Sequence, residues 1–340
     1  MDFSGPKPNG PQRKDKLLVI MGATGAGKSR LSLDLAARFP PATFEVINAD
    51  KMQVYKGLDV TTNKLSAPEL RVVPHHLLGE FDSRDGDVTP AEFRRLAAQA
   101  VSSVVSRRKV PVLVGGSNSF IHALVVDRFE PDCDVFNGES VTVAVSSELR
   151  YDCCFLWVDV SLPVLTAYLP QRVEEMLDSG MFHELAEFYG ENSAGRTGLR
   201  KAIGVAEFSR YFKEYPPPPA AEDEDPVRRG AYDEAVGEIK KNTCRLAKRQ
   251  IGKIARLRKA GWDLRRLDAT EAFRAAVTSD DEEEGKRWSE IWEREVVEPS
   301  VKIVRHFLVE EEGRGLSTKE DQGEVKMKLG REGGDFKFWV

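Results

Sequence analysis

Cysteine is scarce in this chain: Cys133, Cys153, Cys154 and Cys244 are the four among 340 residues. None are spaced C-x-x-C, and adjacent Cys153 and Cys154 make a poor disulfide pair. A disulfide framework and a cysteine zinc site are therefore excluded as organising devices, and a reducing compartment with buried thiols fits best. No apolar run approaches the ~20 residues needed to cross a bilayer. No internal repeat is present. Excess positive charge is also missing. Lys plus Arg number 50 against 55 Asp plus Glu, a net charge of −5, which argues against a surface built for long nucleic acids. The first sixteen residues carry Pro6, Pro8, Gly10 and Pro11 but no apolar signal core, and they are very short for a transit peptide.

What is present is globular in makeup, 41% hydrophobic and 31% charged, and long enough for one large domain or two ordinary ones. Its most informative stretch is Gly22-Ala23-Thr24-Gly25-Ala26-Gly27-Lys28-Ser29, which fits G-x-x-x-x-G-K-[ST]. An apolar run, Leu17 to Met21, precedes it. Leu31, Leu35 and Ala36 recur at helical spacing after it. Strand, glycine loop and helix are the setting in which backbone N–H groups wrap a phosphate. Lys28 would neutralise phosphate charge and Ser29 would ligate Mg²⁺.

Three further strands are expected: Thr43 to Asn48, Pro111 to Val114 and Cys154 to Asp159. With intervening helices they predict an α/β protein. Asp50, just past a strand's carboxyl end, points at the ligand crevice of such a sheet or else caps a turn. Asp159 can be read both ways too, as a water-mediated Mg²⁺ ligand or as a cap. Gly115-Gly116-Ser117 permits close backbone approach and offers a hydroxyl. Lys51 to Lys64 is a candidate substrate-lining segment. For His75-His76, one packed and hydrogen-bonded ring beside one nearer the site is preferred to a metal pair. Thr89-Pro90 starts a helix that runs to about Val105, by cap and first-turn proline. Leu165 to Phe188 reads as helix interrupted near Pro170 and Ser179-Gly180, with Arg172 ion-paired to Glu174 or Glu175. Lys201 lies in a basic, glycine-punctuated turn. Ile239 to Lys259 holds nine Lys or Arg and no acid. Its charge serves solvent, RNA phosphates or a polyphosphate pocket.

The chain divides into a flexible N-terminus (1–15), the first part of the loop-bearing core (16–126), and a strand and helix continuation with a helical insertion (127–235). The basic helix and closing helices follow (236–310), then a tail expected to be disordered (311–340). Residues 127–150 read as loop, Pro216 to Pro226 as a polar insert and Asp280 to Glu284 as a solvated linker. Trp288, Trp292, Val296, Ile303 and Phe307 mark a last helix, kinked at Pro299.

Five blocks, in order, resemble one family: Gly22–Ser29, Asn48–Asp59, Val73–Leu77, Pro111–Ser117 and Ala247–Gln250. They look like the isopentenyltransferases that prenylate adenine N6, over about residues 16 to 308. The resemblance implies a P-loop NTPase-like parallel sheet flanked by helices, with a smaller, mostly helical insertion domain. It implies that Gly22, Ala23, Thr24, Gly25, Ala26, Gly27, Lys28 and Ser29 hold the diphosphate of dimethylallyl diphosphate, with Mg²⁺ on Ser29. Asp50 would be the base, and Lys28 and Ser117 would stabilise the leaving diphosphate. Lys201, Lys248 and Arg249 would serve donor or acceptor phosphates. Gly115–Ser119, Thr197–Val205 and Asn242–Ile254 look more like the plant adenylate branch. That implies ATP or ADP, over AMP, as acceptor, and the first step of cytokinin biosynthesis. The tRNA members usually carry Thr at the place of Ser117 and Ser at that of Lys51, and the plant branch often has Ser where Ala49 stands.

Three readings stay beside this one: a tRNA dimethylallyltransferase, a P-loop small-molecule kinase, and a nucleotide-binding protein without chemistry. The expected partners are small molecules, with no membrane and no long nucleic acid. A monomer is favoured. The cytoplasm is the expected compartment, or the plastid if a leader is missing.

Overall fold

The computed structural model describes residues 14–136, 145–190, 197–217, 225–277 and 282–309. The expected disordered tail, and parts of the N-terminus, the 127–150 loop, the polar insert and the acidic linker, lie outside the described residues. Strand β1 (Lys16–Gly22) leads into helix α1 (Lys28–Arg38), and β2 (Phe44–Asn48) follows. Then come α2 (Ala67–Leu70), β3 (His75–His76), α3 (Pro90–Ser106), β4 (Val110–Gly115) and α4 (Asn118–Val125). Strand β5 (Asp152–Asp159) precedes α5 (Leu162–Asp178), α6 (Met181–Gly190), α7 (Val205–Glu214) and α8 (Pro226–Lys259). Strand β6 (Leu264–Asp268), α9 (Thr270–Val277), α10 (Glu282–Trp292) and α11 (Glu298–Val309) end it.

Among the described residues six strands form one sheet in the order β3-β2-β4-β1-β5-β6, with every pairing between them parallel. Central strand β1 shows why its sequence is continuously apolar. Leu17, Val19 and Met21 enter the core on one face, and Leu18 and Ile20 enter the core on the other. A parallel sheet covered on both faces needs such runs, and each buried Leu or Ile contributes about 1.5–3 kcal/mol. The loop after β1, Asp50 after β2 and Ser117 after β4 all lie at the carboxyl edge, where open α/β sheets bind ligands.

Two strands exceed the four expected. The first is β3, only two residues long. The second, β6, is masked in sequence by Arg265, Arg266 and Asp268, which are exposed on an edge. Pro170 does not interrupt α5; the break falls at Ser179-Gly180, where Gly180 has φ +101°. The basic helix starts much earlier than Ile239, with Asp225 accepting from the Val227 N–H at 3.0 Å and Pro226 in the first turn. The expected boundary at 235/236 therefore falls inside one continuous rod. The last helix bends through a π segment, Glu293–Val297, immediately before Pro299.

Candidate active site at the carboxyl edge of the sheet

Two cavities meet at this edge. The first, of about 450 Å³, is lined by Thr24, Gly25, Gly27, Lys28 and Ser29 from the glycine loop. The second, of about 640 Å³, is lined by Lys51, Ser117, Lys201, Arg249 and Lys253, together with Met52, Phe129, Phe136 and Ile239. Asp50, Thr24 and Arg172 belong to both. A carboxylate thus stands at the junction of the chamber lined by the glycine loop and a larger chamber that is basic and apolar by turns.

Asp50 caps a turn and also lines both cavities. Its Oδ1 accepts from the Met52 N–H at 2.9 Å and the Gln53 N–H at 3.4 Å, a capping arrangement. Its Oδ2 has no hydrogen-bond partner among the described residues. The cap fixes the carboxylate's orientation and leaves one oxygen to face a ligand. Asn48 supports the turn, accepting from the Asp50 N–H at 3.2 Å. Ser117 is placed by its own N–H, which donates to Ala49 O at 3.2 Å. Its Oγ accepts from the Lys51 N–H at 2.9 Å, which leaves the hydroxyl hydrogen available.

The Lys28 ammonium folds back onto Ala23 O at 2.7 Å. Burial pulls its pKa down to about 8; Asp50 opposes that shift and Arg172 reinforces it. The loop is braced from behind. Gly27 has φ +85°, and a Cβ there would lie 2.6 Å from the Trp292 ring. Trp292 is held in turn by donating from Nε1 to Asp34 at 2.8 Å and by stacking on Trp288, centroids 5.4 Å apart.

The other expected residues separate. Arg249 lines the second cavity, and Lys201 lines it while paired with Asp87. Lys248 is exposed and lines neither cavity, because successive helix positions point about 100° apart. Asp159 also lines neither; it accepts from Arg266 Nε at 2.6 Å. His76 bonds Glu45 at 2.6 Å, whereas His75 lines the first cavity. Burial raises the Glu45 carboxyl, but bonds from Arg107, Lys109 and His76 outweigh it and hold the pKa at about 2.

Three residues carry more than their sequence suggested. Arg172 does not pair with its neighbouring glutamates: Glu174 is taken by Lys240, and the buried Arg172 Nε has no hydrogen-bond partner among the described residues. Lys253, one turn beyond Arg249, was recoverable from i,i+4 spacing. Gln250 gave no signal beyond its block. Among the described residues no cluster of three or more His, Cys, Asp or Glu side chains could hold a metal.

Fold and site together define a P-loop α/β protein whose glycine loop lines one cavity beside a second, larger one. The match to the family model described as IPP transferase covers residues 53–140 and 135–254. An adenylate isopentenyltransferase from Humulus lupulus is 65% identical over 302 residues, covering 86% of this chain and 90% of the relative. Adenylate isopentenyltransferase 1, chloroplastic, from Arabidopsis thaliana is 54% identical, covering 88% and 82%. The chain belongs to the IPP transferase family, in its adenylate isopentenyltransferase branch. Among solved structures, a eukaryotic dimethylallyltransferase acting on tRNA superposes with TM-score 0.67 at 22% identity, covering 87% of this chain and 80% of that one. A tRNA isopentenylpyrophosphate transferase from Bacillus halodurans gives 0.63 at 22%, covering 88% and 99%. These two establish the P-loop fold alone.

Proposed function

We propose that the protein transfers a dimethylallyl group from dimethylallyl diphosphate to N6 of an adenine nucleotide, the first step of cytokinin biosynthesis. The observation that carries this is the position of Asp50, one carboxylate oxygen without a hydrogen-bond partner among the described residues, between the loop-lined cavity and the larger one. The donor's diphosphate lies against Gly22–Ser29 and the nucleotide enters through the second cavity. Asp50 accepts the N6 proton as the N6–C1 bond forms and the C1–O bond breaks. Such base assistance is worth ~10²–10⁴-fold. Charge grows on the departing diphosphate, and Lys28, Arg172, the loop N–H groups and the Ser117 hydroxyl stabilise it.

The Ser29 hydroxyl lines the first cavity beside Lys28, with no metal-binding carboxylate cluster among the described residues, and this suits Mg²⁺, which keeps its waters and takes its charge partners from substrate phosphates. When bound there with the diphosphate oxygens, Mg²⁺ supplies charge neutralisation of the leaving group. Arg249, Lys253, Lys51 and Lys201 around the second cavity favour an acceptor with several phosphates, hence ATP or ADP over AMP. The tRNA reading is disfavoured: the curated relatives at 65% and 54% identity are named for adenylate, and the tRNA enzymes share only 22% identity. No helix among the described residues is long and apolar enough to cross a membrane. The cytoplasm is proposed as the compartment, with the plastid as the alternative; imaging a carboxyl-terminal fluorescent fusion decides.

The test is direct. Labelled dimethylallyl diphosphate, Mg²⁺ and ATP, ADP, AMP or unmodified tRNA are incubated with the protein. Label in free nucleotide is the expected result. Label in tRNA alone, or ATP turnover without prenyl transfer, would overturn the proposal.

A further inference from the structure

Gln250 is buried, uncharged and far in sequence from the loops to which its side chain is hydrogen-bonded. It sits on α8, one residue past Arg249 and three before Lys253, the two cations of that helix that line the second cavity. Its Oε1 accepts from the Thr24 N–H in the middle of the phosphate loop at 2.7 Å. Its Nε2 donates to Gly116 O at 3.0 Å. The orientation of this amide is unambiguous, since an N–H demands the oxygen and a carbonyl demands the nitrogen. Its backbone carbonyl accepts from Asn118 Nδ2 at 3.3 Å. Gly116 is small for this contact: a Cβ there would lie 2.6 Å from Gln250 Nε2. One side chain therefore joins the loop after β1 to the loop after β4, which carries Ser117.

The consequence is geometric. The glycine loop is backed by Trp292 on one side, and its glycines would otherwise sample many backbone states, so a second anchor narrows them further. Gln250 withdraws one loop N–H from ligand service and uses it as an anchor. The remaining loop N–H groups are then held in register with Ser117 and Asp50. The anchor rides on the helix whose Arg249 and Lys253 face the acceptor chamber. A nucleotide that draws those two cations inward also steadies the anchor, and a seated donor loop steadies the helix in return.

We propose that Gln250 is a positioning residue that couples the two substrate sites, holding the phosphate loop in its donor-binding shape and transmitting nucleotide binding on α8 to that loop. This rests on the assignment of donor and nucleotide to the two cavities made above.

The experiment is calorimetric titration of the full chain with a thiolo analogue of dimethylallyl diphosphate, which binds without transferring, in Mg²⁺, with and without saturating ATP. Wild-type protein is expected to bind the analogue at least threefold more tightly with ATP present. Gln250→Leu is expected to weaken analogue binding tenfold or more and to erase the ATP effect, while ATP affinity measured alone changes less than threefold. Gln250→Glu keeps an oxygen for the Thr24 N–H but sets a carboxylate against Gly116 O. It should retain part of the affinity and lose the coupling. Thermal melts screen for folding, and if the leucine variant does not fold, the glutamate variant carries the test. Coupling that survives in a folded variant, or equal loss of analogue and ATP affinity, overturns the proposal. A wild-type protein that does not bind the analogue at all overturns the cavity assignment and this proposal together.

Discussion

Lys28 has a pKa of about 8 in the free protein because burial disfavours its charge more than Asp50 restores it. A bound diphosphate adds anionic oxygens beside the ammonium and raises that pKa again. Donor binding above pH 8 must therefore take up a proton. The sign follows from linkage: affinity is flat below about pH 8 and falls as pH rises through it. Each unit beyond the free-state pKa costs about tenfold, so affinity should be about tenfold lower at pH 9 and about a hundredfold lower at pH 10. Stability of the free protein should move oppositely over the same window. The unfolded chain, with an ordinary lysine, holds the proton that the folded chain has released, so stability rises with pH between about 8 and the unfolded value of 10.5. The assay is titration with the thiolo donor analogue at pH 7, 8, 9 and 10 under constant free Mg²⁺. Lys28→Arg is run in parallel, because a guanidinium stays protonated throughout. A wild-type affinity flat to pH 10, or an arginine variant that declines equally, refutes the reasoning.

Asp50→Asn keeps the side chain's shape but removes the basic oxygen. Single-turnover rates should fall by roughly a hundredfold or more while analogue affinity stays within a few-fold, and near-normal rates would remove Asp50 as base. Arg172→Gln deletes a cation that lines both cavities. Donor affinity should drop about tenfold, with a higher Lys28 pKa, since Arg172 depresses it. The second effect appears as a shift of the pH breakpoint above 8, and an unmoved breakpoint would count against the pairing.

Much of the site was legible because its chemistry forces particular residue types into particular places. Only glycines allow the loop after β1 to carry φ +75° at Gly25 and +85° at Gly27, so the motif survives in sequence. Asp50 was legible from its place after an apolar strand, and its capping alternative proved to be the device that aims it. Arg172 was obscured because two nearby glutamates offered a partner in sequence, whereas in space Glu174 meets Lys240 instead. Lys248 looked equivalent to Arg249 until the helix turned them apart. Gln250 bears no charge, and its partners at Thr24 and Gly116 are backbone atoms, which leave no trace in composition. In β6, two arginines and an aspartate on an exposed edge hide the period of a strand.

The brace of Trp292 against Gly27 sets an order on biosynthesis. A ribosome releases β1 and its loop well before the indole that backs the loop, which belongs to α10. A nascent chain can pair β1 with β4 and β5 while its phosphate loop still lacks that support. The nascent enzyme would therefore gain its grip on a diphosphate only once the closing helices are made. A truncation ahead of Trp288 would remove that grip by cutting the far end of the chain, although every residue of the loop remained in place.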